Sequence, residues 1–354
     1  MLVTFKLEDE KKWNEIVKSF DQFDVYYLAD YVKAFKIHGD GEPLLFYYEY
    51  NGLRAMNVVM KRDIAQQNKF SKLIDYNTYF DLSTPYGYGG LIFEGDINDN
   101  NLEQFNIDYT RYCKKENIIS EFVRFHPVLD NAIINGSIYE VIELGKTVTI
   151  KLTDRQNIWE NFNSKNRNVI RKAKKSGVQI YWSNDIKLLD DFIPMYNKTM
   201  DKDKASDYYY FGKNFYESIV NDLKYNMMFF YAKCNEEIVS IAMILMANKH
   251  LHYHLSASNP RYNRIAPSNL LLNEVANWGV ENGFETFHLG GGVGSQEDSL
   301  YKFKKSFTKD KSTSYLIGKK IYNQEIYEYL VNIRENMTNK QNELDNLFFP
   351  LYRQ

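Results

Sequence analysis

A chain of 354 residues allows about two domains. Hydrophobic and charged contents of 44% and 25% exclude a disordered or fibrous polypeptide. The net charge of −2 excludes a global basic excess, so any contact with nucleic acid must come from a local patch. The N-terminus is acidic within ten residues (Glu8, Asp9, Glu10) and lacks the basic start and apolar run of a signal peptide. No apolar run approaches transmembrane length. Cys113 and Cys234 form no disulfide framework and no metal spacing, which fits a reducing compartment. Together these features predict a cytoplasmic protein.

Short helices are expected at Trp13 to Phe20 and Ala29 to Lys36. Leu44 to Tyr50 reads as an aromatic strand, Asn51-Gly52 as a hairpin turn, and Leu53 to Lys61 as the returning strand. A glycine and tyrosine loop, Ser83 to Gly90, precedes a helix at Leu102 to Lys115 and a strand at Ile119 to Phe125. The plan then repeats. A basic helix is predicted at Trp159 to Lys175 with Gly177 as its C-terminal cap. After it come a strand at Val178 to Tyr181 and helices at Leu188 to Met200 and Phe211 to Leu223. Strands follow at Met227 to Lys233, Ile238 to Met246 and His250 to Ala257, then a helix at Ser268 to Val280. The hairpin of aromatic strands recurs, as does a helix ending in Glu-Asn ahead of an apolar strand. An internal duplication of a mixed α/β unit is therefore expected. A last strand, Ser314 to Lys320, and an amphipathic helix, Gln324 to Glu335 with Ile326, Leu330 and Ile333 inward, close the chain.

The stretch from Phe284 to Phe307 carries the strongest functional signal. Apolar alternation at Phe284, Phe287 and Leu289 suggests a short strand that runs into Gly290, Gly291, Gly292 and Gly294. Such a loop lets the backbone turn sharply or a ligand approach main-chain N–H groups. Asp298 or Ser299 caps a new helix whose apolar face is predicted as Leu300, Phe303 and Phe307. Lys304 is then expected at the edge of that face, with Lys302 and Lys305 solvated.

This strand, glycine loop and helix resemble the Fem family of peptidoglycan-bridge aminoacyltransferases. There a Leu-Gly-Gly strand end leads to a Leu-x-x-Phe-Lys-x-x-Phe helix, matched here by Leu300, Phe303, Lys304 and Phe307. The run Arg167 to Gly177, Arg-Asn-x-Ile-Arg-Lys-Ala-x-Lys-x-Gly, resembles the family as well. The resemblance covers most of the chain. It implies an α/β (α+β) fold of two tandem GNAT-like domains with mixed, largely antiparallel sheets. Residues 1–147 would form an acceptor-side domain, 148–313 a donor-side catalytic domain, and 314–354 a tail returning to the first. The coiled-coil arm of the family's longer members is absent from the pattern, since no heptad run occurs.

By the same resemblance Lys304 would stabilise the oxyanion of acyl transfer, and Phe303 would shape the channel. Tyr253, Ser256 and, more weakly, His254 fall on a strand like the family's tyrosine-rich one, with Tyr253 and Ser256 expected on one side and His254 on the other. Gly290, Gly291 and Gly292 would approach substrate. Arg171 with Tyr208, Tyr209 and Tyr210 would hold the acceptor's phosphates or peptide. Arg167, Arg171 and Lys175 share a helix face at spacing four, where like charges repel unless a polyanion offsets them. Lys165, Arg167 and Lys175 are accordingly expected to hold tRNA.

The Arg261-Tyr-Asn-Arg264-Ile-Ala266 stretch stands where acetyl-CoA enzymes of this fold place a glycine-rich pyrophosphate loop, and Arg264 replaces its first glycine. No cofactor and no metal are expected. The resulting reading is aminoacyl transfer from aminoacyl-tRNA to an amine of a peptidoglycan precursor. Two alternatives keep the fold: a transferase that uses acetyl-CoA or another acyl-CoA to acylate an amino sugar of a surface polysaccharide, or a non-catalytic binding protein.

Overall fold

The computed structural model describes residues 1–67, 70–338 and 348–354. In chain order its strands are β1 (Leu2–Phe5), β2 (Glu42–Tyr50), β3 (Leu53–Asp63), β4 (Phe80–Ser83), β5 (Ile92–Gly95), β6 (Ile118–Arg124), β7 (Glu140–Lys151), β8 (Gln179–Ser183), β9 (Met227–Cys234), β10 (Glu237–Ala247), β11 (His250–Ser258), β12 (Thr286–Gly290) and β13 (Thr313–Ile321). The α-helices are α1 (Glu10–Lys18), α2 (Ala29–His38), α3 (Asp99–Lys115), α4 (Ala132–Asn135), α5 (Arg155–Asn161), α6 (Ser164–Lys175), α7 (Leu189–Asp203), α8 (Lys213–Asp222), α9 (Pro267–Glu281), α10 (Ser299–Lys305) and α11 (Gln324–Thr338). The chain divides into two compact units, one of Met1–Glu143 with Leu316–Gln354 and one of Leu144–Tyr315.

In the first unit the strands lie in the order β1-β2-β3-β4-β6-β13, with β5 added to β3. Every step is antiparallel except β4 to β6. In the second unit the order is β8-β9-β10-β11-β12-β7, again antiparallel except for one step, β11 to β12. Over their first five strands the two units therefore share one order and one parallel step at the same place, which is the mark of a duplicated unit, while the sixth strand comes from later in the chain in the first unit (β13) and from earlier in the second (β7). Local chemistry sets much of this. The β2–β3 turn holds Asn51 at φ 44° and Gly52 at φ 77°, the left-handed pair that matches strand twist. Asn235 at φ 50° and Glu236 at φ 65° make the equivalent β9–β10 turn.

The core of the second unit joins Val148, Ile150, Phe230, Ile244, Leu251, Phe287 and Leu289 of the sheet to Leu271, Leu272 and Val275 of α9. A Cβ at Gly279 would meet the Leu152 and Leu251 methyls at 2.7 Å each, so α9 lies close on the sheet and a larger residue there would require these leucines to shift. In the first unit, Leu330 of α11 is buried, with Ile326 and Ile333 packed beside it on Ile64 and Phe70. A carboxyl, Glu121, sits in the interior of this unit, where it accepts from Asn57 Nδ2 at 2.9 Å and Tyr109 Oη at 3.2 Å.

Three features depart from the sequence expectations. The basic helix predicted from Trp159 to Lys175 is two helices, α5 and α6, because Phe162 is extended at φ −67°, ψ 145° and buries its ring on Phe307. Strands β1, β4, β5 and β7 occur where none was assigned; β7 lacks a clean apolar alternation, and its pairing with β12 supplies the order. The buried face of α10 is turned from the one expected, as described below. Among the described residues, no helix is long and apolar enough to cross a membrane.

Candidate active site in the second unit

The site forms where two parallel strands separate. β11 runs to Ser258, yet it pairs with β12 only from His250/Thr286 to His252/His288. Beyond His252 the two strands part, and the end of β12 turns away at Gly290, φ 77°. Met243 pairs with Leu255 and Ile244 with Tyr253, so His254 is an extra, bulged residue. In a regular strand, Tyr253 and Ser256 would face opposite sides. The bulge restores them to one side. Tyr253 is half-buried; burial pushes its hydroxyl up, and a hydrogen bond with the Ser256 side chain opposes that. Burial, then the neighbouring His252, pushes the His254 imidazole down to about 3, so it stays neutral at physiological pH and is a weak base.

The glycine loop is held by close backbone approach. A Cβ at Gly291 would lie 2.7 Å from the Lys146 carbonyl oxygen, and one at Gly292 would strike the Gln296 carbonyl and the Asp298 carboxylate. Asp298 then caps α10, accepting from the Tyr301 N–H at 2.8 Å. This cap aims Lys304 back at the loop. Its Nζ donates to the Gly291 carbonyl at 2.6 Å. Lys304 is only 9% exposed, not at the edge of the buried face as its sequence position suggests. Burial pulls its ammonium down to about 8, against a smaller upward pull from Asp298.

Leu300, expected inward, is 37% exposed, while Tyr301 is buried at 6%. The Tyr301 hydroxyl shares a 2.7 Å hydrogen bond with Ser312 Oγ, which rotates the helix so that Tyr301 and Lys304 face inward. Phe303 is half-buried with its ring edge-on to Phe307 at 5.4 Å. Lys302 is exposed as expected. Lys305 is not simply solvated: its Nζ donates to the Thr308 and Asp310 carbonyls.

The cationic helix also differs from its sequence reading. Arg167 does not stand free for phosphate. Its Nη1 donates to the Phe162 carbonyl at 2.7 Å and the Glu160 carbonyl at 2.9 Å, which caps the C-terminus of α5. Lys165 and Lys175 are exposed. Arg171 is exposed and lies over the Trp159 ring at 5.1 Å, with Nη1 donating to Asn168 Oδ1 at 2.9 Å. Tyr208, Tyr209 and Tyr210 fall on the α7–α8 connection, away from α6 in the chain. Tyr208 and Tyr209 meet edge-on at 5.4 Å, and Tyr210 donates to Asp201 Oδ1 at 2.8 Å. Trp159 was not singled out from the sequence; the absence of any Asp or Glu between Glu160 and Asp185 is the signal that surrounds it.

A family model described as an acetyltransferase (GNAT) domain matches residues 161–305. Over 188 residues the chain is 24% identical to a UDP-N-acetylmuramoylpentapeptide-lysine N(6)-alanyltransferase of Weissella viridescens, covering 51% of this chain and 54% of that protein. The chain thus spans about half the length of the curated relative it matches. Among solved structures it is similar to FemX over 93% of this chain and 99% of that one, with a TM-score of 0.66 and 14% identity. It is also similar to a tandem GNAT protein from the clavulanic acid biosynthesis pathway, over 91% and 98%, with a TM-score of 0.52 and 5% identity.

Proposed function

We propose, taking this chain as a Fem-type member of the GNAT fold, that it transfers an aminoacyl group from aminoacyl-tRNA to an amine of a peptidoglycan precursor. The observation that carries the reading is Lys304, a buried ammonium fixed to the Gly291 carbonyl beside the gap between β11 and β12. In the reaction the acceptor nitrogen attacks the ester carbonyl carbon. A C–N bond forms, the ester C–O bond breaks, the ribose hydroxyl leaves, and the amine gives up a proton. Negative charge develops on the carbonyl oxygen in between.

An ammonium has three donors, and Gly291 takes one of them. The other two remain for the oxyanion. Because Lys304 is buried, a donor held there acts more strongly than it would in water, with no reorganisation when charge appears. With an ordinary value lowered to about 8, Lys304 is still mostly charged near neutral pH. Phe303 and Tyr253, both half-buried, would wall the channel.

The segment ahead of α9 does not fit a coenzyme A pyrophosphate. It is a 3-10 turn, Pro260–Ile265, followed by Ala266 at φ 52° and by Pro267, which has no N–H to offer at the first helical position. This disfavours the acyl-CoA alternative. Both a tRNA-borne donor and a nucleotide-linked acceptor are cytoplasmic molecules, which supports a cytoplasmic site of action. The test is a mass-spectrometric screen of charged tRNAs with UDP-N-acetylmuramoylpentapeptide. Transfer is expected, and Lys304→Met should slow it about a hundredfold, the scale of a lost oxyanion donor. Transfer from acetyl-CoA alone, or an unchanged rate in Lys304→Met, would refute the proposal.

A further inference from the structure

A row of aromatic rings leads from the helix of Lys304 to the cationic helix. Phe303 meets Phe307 at 5.4 Å, Phe307 meets Phe162 at 5.2 Å, and Phe162 meets Trp159 at 6.2 Å. Arg171 then lies over Trp159 at 5.1 Å. The row is rigid where it is buried, since Phe162 and Phe307 are fully inaccessible. It reaches the surface at Trp159, which is half-buried, and Arg171, which is exposed. The helix that carries Arg171 also bears Lys165, Lys172 and Lys175, all exposed, and no Asp or Glu occurs between Glu160 and Asp185.

We infer that the Trp159–Arg171 pair is a stacking platform for an unpaired base near the 3′ end of the donor RNA. The inference rests on the aminoacyl-tRNA reading above and assigns Arg171 to the donor instead of the acceptor. A guanidinium lying over an indole is planar and weakly hydrated, so a base can stack on it or beside it. Flat cationic and aromatic surfaces hold single-stranded nucleic acid by its base faces, without sequence preference, while lysines follow the phosphates. Both elements occur together here. Arg167, one turn away, is spent on the α5 carbonyls and serves as the fixed post that keeps Trp159 in place. The row of contacts links Phe303 to Arg171 within one unit, so on this reading the reactive end and an upstream base of one RNA tail engage the same unit.

The test compares two probes: an intact uncharged tRNA, and the same tRNA trimmed of its unpaired 3′ nucleotides. Affinities are measured by fluorescence anisotropy over a range of salt. Trp159→Leu should weaken the intact tRNA about tenfold, the scale of one lost base stack, and leave the trimmed tRNA unchanged. Trp159→Tyr should restore most of the affinity, because the aromatic face returns. Arg171→Lys should weaken intact tRNA with the salt slope unchanged, since the charge stays and the plane is lost. Thermal melting checks that each variant is folded. Equal losses for both probes, or no loss in Trp159→Leu, would overturn the platform while leaving the donor reading standing. Failure of the wild-type protein to bind either probe would overturn both.

Discussion

Lys304 couples the candidate chemistry to stability, and that coupling can be measured without any substrate. Burial lowers its ammonium from the ordinary 10.5 to about 8. Below pH 8 the folded and unfolded chains both carry the proton, and the folded state bears the full cost of holding a desolvated charge. Between pH 8 and 10.5 only the unfolded chain binds it, so stability rises with pH at about 1.4 kcal/mol per unit. The whole window amounts to roughly 3 kcal/mol, of which about 2 kcal/mol lies between pH 7.5 and pH 10. Lys304→Met removes the titration and keeps an apolar chain of similar length. Relative to wild type, the variant should therefore be more stable by about 2 kcal/mol more at pH 7.5 than at pH 10. The other titrating groups are common to both proteins and cancel. Urea unfolding of both proteins at the two pH values gives the double difference. A stability gap that is the same at pH 7.5 and pH 10 would mean that Lys304 is not desolvated, and the argument for a primed cation at the β11–β12 gap would fall.

The roles of the other cations are separable. Arg167→Gln should destabilise the α5–α6 corner by about 1 kcal/mol, the worth of a charged cap bond with partial exposure, as read by thermal melting. Reversing Lys165 and Lys175 to Glu should leave melting nearly unchanged and make tRNA affinity fall less steeply with salt, by about two phosphate contacts in the logarithmic slope. Lys305→Met should cost about 1 kcal/mol through the Thr308 and Asp310 carbonyls, whereas Lys302→Met should cost nothing measurable in the same urea titration. Gly291→Ala should push the loop off the Lys146 carbonyl and destabilise the unit by about 1–3 kcal/mol, and a crystal structure should show the Gly291 oxygen displaced from Lys304 Nζ.

Short-range chemistry made much of this protein legible in its sequence. Asn51-Gly52 dictates a hairpin because only left-handed residues match the twist of the flanking strands. Asp298 announces the start of α10 because its carboxylate satisfies an orphan helix N–H. The duplicated order of hairpins, helices and apolar strands could be read from periodicity, and the two units repeat it over five strands. What the tertiary structure alone decided depends on partners distant in the chain. The rotation of α10 comes from Tyr301 meeting Ser312, and the burial of Lys304 from a carbonyl thirteen positions earlier. Phe162 breaks the basic helix because it packs on Phe307, and Arg167 is recruited to the broken end. The bulge at His254 follows from the register of β10 against β11. None of these choices carries a local propensity. Each is made by the free energy of a contact that exists only once the two segments are side by side.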